Sequence, residues 1–184
     1  MRPELLVLTG TAHFGFDELV EAADEAAARL GLSGLAQIAG GRYLPRRLAW
    51  VRLLAPDELR ARLARRPLVV THAGIGLVGD AMRAGCRIVA VPRLGSRRPG
   101  APNDQTGFLA RIAQEHPVHP CFDPRELPEV LERVLADPGP EPVYRLGSDA
   151  PRILADFLRA TLEEPARRRG LRFPPLQRAG NTKA

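Results

Sequence analysis

Long apolar runs are missing from this 184-residue chain. None approaches the ~18 residues that a membrane-spanning helix needs. The opening residues include an acid, Glu4, and no extended apolar stretch, so no signal peptide is expected and a cytoplasmic location is. Cysteine is scarce. Cys86 and Cys121 show no metal-ligand spacing, and two thiols make no disulfide framework, so both are expected as small buried side chains. Aromatics number only nine and interleave with no basic face, so nucleic acid is not an expected partner. No Ser/His/Asp set and no metal cluster stands out, so neither a metal nor a cofactor is expected.

Acid is missing from one region only. From Pro165 onward there are six basic residues and no Asp or Glu. The rest of the chain carries 21 basic against 21 acidic residues, so the whole formal excess of +6 sits in the last twenty residues. Residues 1–164 are therefore expected as one domain and 165–184 as a basic tail. Such a tail suits anionic lipid headgroups or an acidic partner, and equally a solvated terminus.

What is present alternates. Apolar runs at Leu5–Leu8, Leu35–Ile38, Leu48–Leu54, Leu68–Val70, Ile88–Val91 and Val118–Cys121 predict strands. Helices are expected over Asp17–Leu30, Pro56–Arg65, about Leu77–Arg83, Asp104–Glu115, Arg125–Leu135 and Ala150–Leu162. Asp17, Glu18, Asp57 and Glu58 suit first turns, Pro56 suits a helix start, and Gly31 suits a helix end. Strand and helix in turn imply an α/β fold with a doubly wound parallel sheet. The Pro-rich stretch at Asp137–Pro142 reads as a surface loop before a docked helix.

In such sheets ligands bind beyond the carboxyl ends of the strands. Two strand ends here carry glycine turns: Thr9-Gly10-Thr11, and His72-Ala73-Gly74-Ile75-Gly76. The second leads into a helix whose first amides suit a diphosphate. If that helix starts near Gly76, Asp80 stands one turn on, placed for a ribose diol. The alternative is a tight turn with a solvated Asp80. Asn103-Asp104-Gln105 offers amide and carboxylate groups suited to sugar hydroxyls; a helix cap explains Asn103 and Asp104 equally well but leaves Gln105 without a role. His13 and His72 adjoin the two turns, and His72 is placed to organise its loop by a ring-to-backbone bond. Arg97 and Arg98 are either an anion contact or a solvated loop. Gly74-x-Gly76-x-x-Gly79 also fits a dinucleotide fingerprint, which normally occupies the first strand–helix turn instead.

Taken together, Thr71-His72-Ala73-Gly74-Ile75-Gly76, Asp80, Gly85, Val91-Pro92-Arg93 and Asn103-Asp104-Gln105 resemble the C-terminal donor domain of glycosyltransferase family 28. Leu8-Thr9-Gly10-Thr11, Phe14-x-Phe16-Asp17-x-Leu19 and Gln37-Ile38-Ala39-Gly40 resemble its stand-alone small subunits, which serve lipid-linked and exopolysaccharide sugar transfer. The resemblance covers roughly residues 4–135. It implies one half of a GT-B fold: a Rossmann-like domain that holds a UDP-sugar as donor substrate. It implies an inverting hexosyltransferase, peripheral to the inner face of the membrane through a partner. That membrane-associated subunit would present a polyprenyl-linked acceptor. By the resemblance Gly10, Thr11 and the Gly74–Gly76 turn bind the diphosphate, with His72 and Ile75 in the same donor site. Asp80 takes a ribose-binding position where the family commonly has Glu. Asp104 and Gln105, with Asn103, meet the sugar. The general base falls to the partner, with His13 as a local candidate. Two other readings are a non-catalytic UDP-sugar-binding protein and an NAD(P)-dependent Rossmann oxidoreductase.

Overall fold

The computed structural model describes residues 3–94, 104–137, 140–145 and 150–163. The chain divides into two compact units, Met1–Leu146 and Gly147–Ala184. Among the described residues the first unit holds six strands: β1 (Leu5–Leu8), β2 (Gly34–Gln37), β3 (Ala49–Val51), β4 (Leu68–His72), β5 (Arg87–Val91) and β6 (Val118–Pro120). Between them run α1 (Asp17–Leu30), α2 (Pro56–Leu63), α3 (Ile75–Arg83) and α4 (Thr106–Glu115). After β6 come a 3₁₀ turn (Pro124–Glu126) and α5 (Leu127–Ala136). In the second unit α6 spans Ala150–Glu163.

All the strands are parallel, in the order β3-β2-β1-β4-β5-β6. Chain direction across the sheet reverses between β1 and β4, which makes that boundary the topological switch point. Alternation along the strands builds two cores. Leu5, Val7, Val70 and Val89 point to the face covered by α1 and α5. Leu6, Leu8, Val69 and Ile88 point to the face packed with Val78, Ala81 and Met82 of α3, Leu63 of α2 and Leu109 of α4. Strands buried on both faces need no polar alternation, which is why their sequences read as continuous apolar runs.

The expected α/β fold and doubly wound parallel sheet stand. Several boundaries differ. The third strand shrinks from Leu48–Leu54 to Ala49–Val51: Trp50 and Leu53 face solvent, Leu48 is buried, and Val51 and Leu54 pack against the core from partly buried positions. Helix α3 starts at Ile75, two residues earlier than the apolar periodicity predicts, since Gly74 takes the cap position. A 3₁₀ turn with Pro124 precedes α5, so the predicted Arg125 start moves to Leu127. Asn103, the 95–102 loop with Arg97 and Arg98, and the tail 165–184 lie outside the described residues.

Among the described residues the buried polar side-chain atoms have hydrogen-bond partners, with one exception at His72. Asp24 turns inward from the middle of α1 and accepts hydrogen bonds from the connection between β2 and β3. Asp17, in the first turn of α1, accepts from the Arg42 and Tyr43 amides. Cys86 and Cys121 are buried and unlinked. Burial pushes their thiols up, to about 11 and about 12 respectively, so neither is a nucleophile near neutrality.

Candidate functional site

Two loops leave the sheet at the switch point, one after β1 and one after β4. His72, the last residue of β4, sits between them. A Cβ at Gly10 would lie 2.9 Å from the His72 Cε1, and a Cβ at Gly74 would lie 2.3 Å from its Nε2. The imidazole therefore occupies space that only two glycines leave open. Gly10 also holds φ at +85°, a conformation that other residues rarely adopt. Beyond this stack, Gly76 faces open space and Ile75 is 78% exposed. Helix α3 has no side chain capping its start. Its first amides thus lie at an open, uncapped helix start beside the stack, where an anion would be favoured.

The imidazole is mostly buried, and its Nδ1 has no hydrogen-bond partner. Burial and the positive charge of Arg93 lower its pKa to about 4, with the Leu8 carbonyl opposing weakly and forming no well-aligned bond. His72 is consequently neutral across the physiological range. Folding disfavours the protonated ring, so its contribution is full above the unfolded value near 6.5 and is lost as pH falls toward about 4. The full effect is up to about 3 kcal/mol. In an NMR titration the His72 ring resonance is expected to move at about pH 4. A midpoint at the ordinary histidine value would overturn this account of the stack.

Arg93 ties the loops together. It follows β5 and is only 8% exposed. Its guanidinium donates to the Thr9 carbonyl at 2.7 Å and the Gly15 carbonyl at 2.9 Å. It also lies 4.8 Å from the Phe16 ring centre and 5.4 Å from that of Phe14. Two carbonyls and two ring faces hold the β1–α1 loop, with Gly10 and Thr11 on it, against the end of β5. From β2, the Gln37 amide donates to the Gly10 carbonyl at 3.0 Å, and the Thr9 hydroxyl donates to the Gln37 carbonyl.

Gln105 meets Arg93 from the other side. Its N–H donates to the Arg93 carbonyl at 3.0 Å, and its Oε1 accepts from the Arg93 N–H at 3.1 Å. The role that a helix cap leaves unexplained for Gln105 is thus, in part, a clamp on the chain after β5. Asp104 is exposed and accepts from the Thr106 N–H at 2.8 Å. The Thr106 hydroxyl and amide hold its carboxyl below the usual range. Through Arg93, the β1 loop and the start of α4 come to the same end of the sheet.

Asp80 stands apart from this cluster. Because α3 begins at Ile75, Asp80 lies more than one turn from the helix start. Its carboxylate is exposed and pairs with Arg83 at 2.9 Å, beside a groove of about 530 Å³ between α2 and α3. Thr11 and His13 are exposed on the β1 loop, with the His13 ring edge-on to Phe14. Arg93 and Gln37 emerge as the organising residues that composition did not single out. The available signal was an arginine two residues past a buried strand, with Phe14-x-Phe16 elsewhere to receive it.

No family model matches the chain, and no curated protein does. Solved structures are similar to it. The calicheamicin glycosyltransferase CalG4 superposes with a TM-score of 0.55 at 22% identity, over 74% of this chain and 36% of that one. The glycosyltransferase VinC, solved in complex with dTDP, gives 0.51 at 22%, over 74% and 34%. A UDP-N-acetylglucosamine 2-epimerase (so described, from Listeria monocytogenes) gives 0.55 at 16%, over 90% and 46%. The chain spans about a third to under half of the length of these structures. At these identities the likeness is one of fold, that of the GT-B glycosyltransferases.

Proposed function

We propose that this chain is the donor-binding subunit of an inverting glycosyltransferase of the family 28 type. It takes a UDP-sugar and passes the sugar to a polyprenyl-linked acceptor held by a membrane-associated partner subunit. The observation that carries the reading is the His72 stack. Two glycines are packed against one neutral ring at the switch point, beside an uncapped helix start. A neutral imidazole neither repels nor titrates against a bound diphosphate, and the bare amides of Ile75 and Gly76 are free to face it.

In this reading the acceptor hydroxyl attacks the anomeric carbon. The new C–O bond forms as the bond from that carbon to the β-phosphate oxygen breaks. The electron pair leaves on UDP, the hydroxyl proton goes to a base, and the configuration inverts. Negative charge that develops on the diphosphate is met by the α3 amides and the β1 loop around Gly10 and Thr11. The partner supplies the base, with His13 on the crevice loop as the local candidate. Asp80 reaches a ribose by giving up its exposed pairing with Arg83, a small cost for a surface ion pair. Gln105 keeps its Oε1 on Arg93 and turns Nε2 to the sugar.

The second reading is nucleotide-sugar binding without transfer by this chain. The VinC complex with dTDP and the epimerase neighbour support a nucleotide or nucleotide-sugar ligand without specifying the chemistry. Calorimetry with UDP, dTDP and NAD(P), followed by transfer assays with and without the co-expressed partner, separates these readings. UDP is expected to bind and, at a hundredfold excess over Kd, to add about 2.7 kcal/mol of stability. Transfer is expected only with the partner. Tight NAD(P) binding without UDP would overturn the donor assignment. Full transfer by the chain alone to a soluble acceptor would overturn the two-subunit assignment.

A further inference from the structure

We infer, resting on the donor-binding reading, that Arg93 is a positioning residue of the donor site: its guanidinium fastens both ends of the β1–α1 loop and so sets the backbone that meets the diphosphate. The loop runs from Thr9, which follows β1, to Phe16, which precedes α1. One terminal nitrogen of Arg93 donates to the Thr9 carbonyl and the other to the Gly15 carbonyl. The two acceptors bracket Gly10, Thr11 and His13, so a single planar group closes the loop at its base. The Phe14 and Phe16 rings lie against the same guanidinium. Arg93 is buried, and both its terminal nitrogens are engaged with carbonyls. It therefore acts on a ligand through the loop and not by contact. Lysine is no substitute, because an ammonium is a point charge on a flexible stem, whereas the guanidinium fork reaches two acceptors in one fixed plane.

On its other side the loop meets a wall. A Cβ at Gly40 would lie 1.7 Å from the His13 carbonyl oxygen, and a Cβ at Gly15 would lie 2.0 Å from the Gly41 Cα. The backbones that follow β1 and β2 thus touch with no side chain between them. Arg52 stiffens this wall by donating to the Ala39 and Gly41 carbonyls. Ala39 holds φ at +48°, a left-handed conformation that persists where the surroundings impose it. The wall blocks movement of the loop toward β2, and Arg93 blocks movement away from it. Gly10 lies on this loop with the His72 ring against it, so any displacement of the loop is also a displacement within the stack. Gln105, by contrast, reaches Arg93 through the backbone N–H and carbonyl, not through the guanidinium. Replacing the side chain therefore frees the β1 loop and leaves the Gln105 clamp in place. The guanidinium governs the diphosphate side of the site.

The test compares Arg93→Lys and Arg93→Met with wild type in the full chain. Hydrogen exchange at the amides of residues 10–15 is expected to quicken in both variants, while β4 and β5 keep their protection. UDP affinity, by calorimetry, is expected to fall at least about tenfold in both. Uridine affinity, by saturation-transfer NMR, is expected to stay unchanged, because uridine has no diphosphate for the loop to meet. Val134→Ala, a core truncation in α5, is the control: it lowers the thermal midpoint and leaves UDP affinity unchanged. Circular dichroism verifies that each variant is folded. Wild-type UDP affinity in Arg93→Lys overturns the inference, since charge without the fork would then suffice. So does unchanged UDP affinity in Arg93→Met, an equal loss of UDP and uridine, or an equal loss of UDP in Val134→Ala. A wild-type chain that binds no UDP overturns the donor reading itself, and the inference with it.

Discussion

Asp24→Ala is expected to cost about 3–5 kcal/mol of folding stability, measured by urea or thermal unfolding. The side chain is 4% exposed, inside α1. Its Oδ1 accepts from the Arg47 amide at 2.9 Å and the Leu48 amide at 2.8 Å, and its Oδ2 from the Arg46 amide at 2.8 Å and the Tyr43 hydroxyl at 3.1 Å. Burial alone would raise its pKa, but these four donors outweigh it and the carboxyl stays below its ordinary value. Alanine removes the common acceptor of three amides and a hydroxyl, each costly to leave unsatisfied. It also releases the segment that delivers Leu48 to the core. Asn keeps one oxygen but turns an NH₂ toward backbone donors, so it rescues little. Because the folded pKa is depressed, this stability is present above the unfolded carboxylate value and is lost as pH falls through the folded one. The alanine variant is therefore less acid-sensitive than the parent, from a lower starting point. A loss of under about 1 kcal/mol would show that the acceptor is replaceable.

Gly74→Ala is expected to remove nucleotide binding while costing about 1–3 kcal/mol of stability. Its backbone is no obstacle, since φ −95° and ψ 129° suit alanine. The obstacle is the His72 ring, 2.3 Å from the new methyl at Nε2 and 2.9 Å at Cε1. Gly10 blocks retreat on the other side, so either the ring or the β4–α3 loop shifts. A displacement near 1 Å at a binding loop costs about a hundredfold in what depends on it. His72→Ala added to Gly74→Ala should restore most of the stability, because the clash is pairwise, but not the UDP affinity. Wild-type stability and affinity in Gly74→Ala would contradict the stack as the organiser of the crevice.

Much of this fold is legible without coordinates. Strand β1 and helix α1 occupy the expected residues, because an apolar run ending in Thr-Gly-Thr and a stripe of Leu19, Val20, Ala23 and Ala27 leave few alternatives. The meeting of the two glycine turns is legible too, since turns at two parallel strand ends come together wherever those strands are neighbours. The shared use of Arg93 is not. Its contact with Thr9 joins residues 84 apart in sequence, and no local period encodes that pairing. The pairing of Asp80 is illegible for a related reason. Helical spacing gives the side of the helix, but not which neighbour a carboxylate takes, and here it takes Arg83. Gln105 is half legible: its position after a loop suggests a ligand, while its clamp on Arg93 depends on where β5 ends.

The sheet ends at both edges in strands of three residues, β3 and β6, the latter finishing in Pro120. A proline has no N–H to offer an incoming chain, and so short an edge gives it few groups to pair with. The four strands between them are longer, and the apolar runs of β1, β4 and β5 are among these. Self-association by strand addition therefore finds little purchase on the native protein. The segments most prone to it, such as Leu68-Val69-Val70, come within reach only when the sheet opens, so the concentration at which this protein aggregates should track its unfolding rather than its surface.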